Sequence, residues 1–151
     1  MIPFTIKKDP MDFQEMLGYL RDCEKGIEPK IDWIPANSTY WLIDNFEVIG
    51  AVNIRHYLTE RLLNSGGHIG YGIRPSKRNQ GYATEILSLS LIKAKELGID
   101  RALLVCEANN TASERTILKN GGIADVDFVD EEGNILKRYW IETENREMLL
   151  K

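Results

Sequence analysis

Apolar positions in this chain recur at two different spacings, and each change of spacing marks an element. Phe13, Met16, Leu17 and Leu20 fall at i, i+3, i+4 and i+7, which predicts a helix over 12–23. Residues 26–37 hold two prolines, Pro29 and Pro35, and read as a loop. The runs 40–43 and 48–58 read as strands joined by the turn Asp44-Asn45-Phe46-Glu47. A connection over 59–67, with one helical turn at 60–63, leads to a strand over 67–73. Helical spacing then returns over 82–97. There Ala83, Ile86, Leu87, Ser90, Leu91, Ala94 and Leu97 form one stripe, and Gly98 supplies the stop. The apolar run 101–106 fits a central strand covered on both faces. Thr111-x-x-Glu114 reads as a capping box opening a further helix, which ends at Asn120-Gly121-Gly122. Runs 123–129 and 135–143 close the chain as a hairpin across Asp130-Glu131-Glu132-Gly133. The pattern predicts one mixed α/β domain spanning 1–151, with no internal repeat.

One polar interruption carries candidate chemistry. Lys77, Arg78, Asn79, Gln80 and Gly81 lie between a predicted strand and the best predicted helix. A loop of this kind offers backbone N–H groups, and the helix behind it adds the positive end of its dipole. Together they suit a phosphate or pyrophosphate. Gly81 lets the backbone approach a ligand with no Cβ in the way.

Composition narrows the alternatives. The 151 residues suffice for one buried core. A net charge of −4 argues against a nucleic-acid binder. No apolar run reaches the ~20 residues of a membrane span, and the start lacks the shape of a signal peptide. Cys23 and Cys106 have no metal or redox spacing, so a reducing cytoplasm is expected.

The spacing Arg78-x-x-Gly81-x-Ala83 resembles the acyl-CoA signature Gln/Arg-x-x-Gly-x-Gly/Ala of the GNAT superfamily of N-acetyltransferases. The order of elements over roughly 40–142 is similar to the core of that family. The strand from Gly66 to Ser76, Asn110 to Ser113 and Lys119 to Gly122 resemble runs of a predicted-acetyltransferase subgroup. The resemblance implies an acyl-CoA N-acyltransferase fold with two splayed central strands, acetyl-CoA or coenzyme A as co-substrate, and a primary amine as acceptor. It implies that Gly72, Ile73 and Arg74 line the pantetheine arm. Arg78, Asn79, Gln80, Gly81, Tyr82, Ala83 and Thr84 would bind pyrophosphate, and Asn110 and Ser113 would approach the far side of the arm. Members of the family usually open with a strand and a helix before the equivalent of Asp12. Here only Met1 to Lys8 stands there, and Pro3 weakens it as a central strand.

The catalytic groups are less defined. Many GNAT enzymes place a tyrosine in the helix after the splayed strand, and the matching position here is Ile117. Glu107 and His68 are the candidates for proton removal, with a loop carboxylate and a histidine paired to His56 as their structural alternatives. A metal site at His56 and His68 lacks further ligands. Asp125, Asp127, Asp130, Glu131 and Glu132 could attract a cationic acceptor or simply solvate a turn. Two other readings stay open at this level: a non-catalytic acyl-CoA-binding module, and a nucleotide-binding domain. The second lacks a Gly-x-x-x-x-Gly-Lys-Ser/Thr loop. Neither the acceptor nor the oligomeric state, monomer or homodimer, is readable.

Overall fold

The computed structural model describes residues 12–144. The expectation about a first strand at 1–8 lies outside the described residues. Helix α1 (Phe13–Glu24) starts at Asp12, whose carboxylate accepts from the Glu15 N–H at 3.0 Å. Strands β1 (Asn37–Asp44) and β2 (Glu47–Arg55) form an antiparallel hairpin. Its turn takes positive φ at Asn45 and Phe46, as a tight two-residue connection requires. The second strand ends at Arg55, three residues before the expected limit, because His56 and Tyr57 leave the ladder. Helix α2 (Glu60–Ser65) leads into β3 (Ile69–Ile73), which pairs with β2.

After β3 a single 3-10 turn (Pro75–Lys77) delivers the chain to α3 (Tyr82–Glu96). Then come β4 (Arg101–Glu107), α4 (Thr111–Lys119), two short strands β5 (Ile123–Ala124) and β6 (Phe128–Val129), and β7 (Ile135–Glu142). The expected closing strand 123–129 is thus broken. Asp125 interrupts it, accepting from the Val126 N–H, from Arg138 and from the Trp140 indole. The expected capping box also differs. Asn110 caps α4 by accepting from the Ser113 N–H at 3.1 Å. Glu114 turns instead toward Lys137 and the Tyr139 hydroxyl.

Strands β1-β2-β3 make one sheet and β4, β5, β6 and β7 the other. The sheets touch at one level. The His68 N–H donates to the Leu103 carbonyl (2.8 Å), and the Leu103 N–H donates to His68 Nδ1 (2.9 Å). Beyond that junction no ladder joins β3 to β4 among the described residues. Gly67 makes the approach possible. Its φ is +68°, and a Cβ there would lie 2.4 Å from the Leu103 carbonyl oxygen.

Helices α3 and α4 cover one face of this split sheet. Ile54, Leu87, Leu91, Ala102, Leu104 and Ile141 are fully or almost fully buried in the core between them and the strands. Helix α1 packs on the opposite face, where Phe13 stacks on Trp41.

Candidate active site

The head of α3 is shaped by two residues of positive φ. Gly81 sits at the N-cap with φ +85°, a left-handed conformation that favours glycine. Asn79 holds φ +62°, tolerable for asparagine. This kinked approach leaves a run of backbone donors uncommitted. The N–H groups of Asn79, Gln80, Gly81, Tyr82, Ala83 and Thr84 find no acceptor among the described residues, and the first bond into the helix comes from Glu85 to the Gly81 carbonyl. Gly81 offers no side chain to cap them.

All of these residues but Gln80 line a cavity of about 670 Å³ between β3, the loop and the start of α4. Lys77, Arg78, Arg115 and Lys119 line it, and no carboxylate among the described residues does. Four cations beside a helix N-terminus set a positive potential that fits a polyphosphate. Tyr71, Ile73, Ala83, Asn110, Ser113 and Thr116 complete the walls. The Arg78 Nε anchors the loop by donating to the Ile73 carbonyl at 3.1 Å.

The structure brings most of the expected binding residues together: Ile73, Arg78, Asn79, Gly81, Tyr82, Ala83, Thr84, Asn110 and Ser113 all line this cleft. Three expected residues sit differently. Arg74 turns its guanidinium to Glu47, away from the cleft. The Gln80 amide donates to the Ser76 carbonyl. Gly72 lies within β3 opposite Ala51.

Five lining residues were not anticipated: Tyr71, Ala112, Arg115, Thr116 and Lys119. A signal for four of them was present, since Ala112, Arg115, Thr116 and Lys119 fall at i, i+3, i+4 and i+7. Tyr71 shares its strand face with Ile69 and Ile73, and its hydroxyl reaches Ser113 Oγ at 3.4 Å. Burial raises the Tyr71 phenol above its ordinary pKa, partly offset by hydrogen bonds to Ser113 and Thr116.

His68 is 6% exposed, and its Nδ1 is occupied by the Leu103 N–H, which fixes the neutral ring with the proton on Nε2. Burial, with Arg55 nearby, pushes its pKa down to about 4. The ring acts here as a clamp between the sheets. It is not paired with His56, whose Nε2 meets Ser38 Oγ at 2.8 Å. No metal-binding group of side chains occurs among the described residues. Glu107 stands exposed at the end of β4, where strand alternation directs it to the face opposite α3 and α4. Ile117 is 1% exposed and packs in the core. Cys106 is buried, and burial pushes its thiol pKa up.

On the far face, Glu60, Arg61, Asn64 and Ser65 of α2 and Phe128, Asp130, Glu131, Glu132 and Leu136 of the closing hairpin enclose a second cavity of about 660 Å³. Arg138 ties its two sides together, donating to the Leu63 carbonyl at 2.9 Å and to Asp125 at 3.1 Å.

A helix head with six uncommitted donors, beside two sheets parted above one junction, is the geometry that the signature at Arg78–Ala83 implied. The family model described as an acetyltransferase (GNAT) domain matches residues 4–123. The chain belongs to the GNAT acetyltransferase family. A variant of spermidine N-acetyltransferase SpeG from Vibrio cholerae shares the fold at TM-score 0.65 and 14% identity, over 92% of this chain and 79% of that one. The acetyltransferase yncA from Salmonella typhimurium, solved with acetyl-CoA, matches at TM-score 0.61 and 13% identity, over 88% and 74%. A Salmonella typhimurium acetyltransferase that modifies the N-terminal serine of a 50S ribosomal subunit protein matches at 0.62 and 16%, over 92% and 78%. No curated protein matches the sequence. No described helix of this GNAT chain is long and apolar enough to cross a membrane.

Proposed function

We propose that this chain moves an acetyl group from acetyl-CoA to a primary amine by direct attack in a ternary complex. The observation that carries the proposal is the run of six uncommitted N–H groups from Asn79 to Thr84, beside a cleft with four cations and no carboxylate among the described residues. These groups would hold the pyrophosphate chiefly by main chain, with Lys77, Arg78, Arg115 and Lys119 adding charge. Asn110 and Ser113 would flank the pantetheine arm, and the parted edges of β3 and β4 would bond it. When bound, acetyl-CoA supplies an activated thioester that an amine can attack without a covalent enzyme intermediate.

The chain's residues then manage two protons. As the new C–N bond forms and the C–S bond breaks, the amine must lose a proton and the departing sulfur must gain one. Glu107, directed to the face opposite α3 and α4, is the proposed receiver of the amine proton. His68 is left out of this role because its Nδ1 lone pair already holds Leu103. Tyr71, on the cleft wall and hydrogen-bonded to Ser113, is the proposed donor to sulfur, in place of the tyrosine missing at Ile117.

The acceptors named for the similar structures, spermidine and an N-terminal serine, differ in kind and leave the acceptor open. Thermal unfolding with acetyl-CoA, coenzyme A and ATP tests the reading. A ligand at about a hundred times its Kd stabilises by about 2.7 kcal/mol. Stabilisation by the first two and not by ATP is expected. No stabilisation by acetyl-CoA overturns the proposal, and binding with no thiol release across a broad amine panel replaces it with a non-catalytic acyl-CoA-binding module.

A further inference from the structure

We infer that Arg55 is a carboxylate-binding residue of the acceptor site, so that the amine acetylated by this chain carries a carboxylate near its nitrogen. The inference rests on the acetyl-transfer reading above and narrows it.

Arg55 ends β2 and is only 8% exposed. Its backbone N–H serves the His68 carbonyl. Its guanidinium has five donors, yet among the described residues no hydrogen bond or ion pair reaches it. Burial accounts for the lowering of its pKa to about 10, with no carboxylate among the described residues acting on it. Among the described residues no fully enclosed side-chain nitrogen or oxygen lacks a partner, so the guanidinium nitrogens keep a narrow opening to solvent. A buried, unpaired cation is unfavourable for folding, and sequences keep one only against a compensating gain.

The neighbours cannot satisfy it. Register places Asn37 on one side and His68 on the other. The Asn37 side chain accepts from Asn53 and donates to the Pro35 carbonyl. The His68 ring has its one acceptor nitrogen filled by Leu103. This row of polar residues therefore surrounds a cation without offering it an anion.

Placement makes it an acceptor feature. Gly50 faces Ile86 of α3, so Ala51, Asn53 and Arg55 face the other way. The guanidinium lies over Gly70, whose Cβ position would be 3.1 Å from Nη1. Gly70 stands two residues along β3 from the His68–Leu103 junction, at the start of the gap between the sheets. The cofactor cleft opens on the α3/α4 face, so a substrate entering from the opposite face meets Arg55 at the foot of that gap. The planar fork matches a carboxylate. One cation among neutral neighbours suits a monoanion better than a phosphate dianion, which would require a second positive group.

The test compares matched acceptors by thiol release from acetyl-CoA: γ-aminobutyrate against butylamine, phenylalanine against phenethylamine, and putrescine alone. The carboxylate-bearing member of each pair is expected to exceed its partner by about 100-fold in kcat/KM. Arg55→Met is expected to bring the paired amines within about threefold of each other, leave acetyl-CoA binding unchanged and raise the melting temperature, since it removes a buried unpaired charge. Arg55→Lys, which keeps the charge, guards against a misfolded variant and should retain a reduced preference. Putrescine or butylamine reacting as well as γ-aminobutyrate in the wild type overturns the inference, as does an equal loss for both members of a pair in Arg55→Met. Calorimetric titration of γ-aminobutyrate and phenylalanine covers the case of no turnover. Arg55-dependent binding would uphold the carboxylate site even if acetyl-CoA failed to bind, and absence of binding by both amino acids would sink it.

Discussion

The two faces of the split sheet present different kinds of polar group. On the α3/α4 face the donors are backbone N–H groups fixed by a left-handed glycine and the start of a helix. On the opposite face the polar groups are side chains: Arg55 over Gly70, and the carboxylates Glu60, Asp130, Glu131 and Glu132 around the second cavity with Arg61 as its cation. A backbone cradle tolerates sequence change and fits a ligand part that never varies. A side-chain surface changes with each substitution and suits a part that does. The two faces share one hinge of construction, the Gly67–His68–Leu103 junction.

The sharpest way to break the comparison is to disturb that junction. Gly67→Ala would place a Cβ against the Leu103 carbonyl and hold a left-handed φ. The expected loss is about 3 kcal/mol, from a left-handed penalty of about 1–2 kcal/mol plus the clash. Urea denaturation measures it, and both faces should fail together.

Gly81→Val acts on the cradle alone. Nothing lies within 4 Å of its Cβ position, so the penalty is conformational. A β-branched residue at φ +85° should cost about 2 kcal/mol in acetyl-CoA binding, roughly 30-fold in Kd by calorimetry. An unchanged Kd would mean that the main chain is not what holds the ligand.

Acid should loosen the junction through His68. Its pKa falls from the ordinary 6.5 to about 4 on folding, so the unfolded chain binds the extra proton between these values. Its contribution is complete above pH 6.5 and declines as pH falls toward 4. The expected loss is about 2 kcal/mol at pH 5. His68→Phe should flatten that part of the stability–pH profile, and an unchanged slope would remove His68 as its source.

The smallest effect belongs to the exposed acids. Glu131→Gln with Glu132→Gln should alter stability by no more than about 0.5 kcal/mol and leave acetyl-CoA binding unchanged. Only the rates for cationic acceptors should fall, and mostly at low salt. A change in acetyl-CoA affinity would show that the two faces are coupled.

The cofactor side was legible because its determinants are local. Gly81 before an apolar helical stripe, Asn79 beside it and Gly98 after it are read along the chain, and the structure places α3 within one residue of the expected span. The misreadings came where local signals compete. Thr111-x-x-Glu114 satisfies the capping-box pattern, yet Asn110 takes the cap. Glu114 is drawn to Lys137 and Tyr139, more than twenty residues away along the chain. His68 has the chemistry of a base, but its ring was recruited by Leu103 across 35 positions of sequence.

What the sequence determined by itself is the order of elements and the glycine turn at the head of α3, since periodicity, caps and glycine conformations act over a few residues. What only the tertiary structure decided is which side chains meet: Tyr71 with Ser113, His68 with Leu103, and Arg55 with no partner among the described residues. Those outcomes depend on strand register and on which face each residue presents once the sheets have parted. A shift of one position would send every side chain of β3 to the other face.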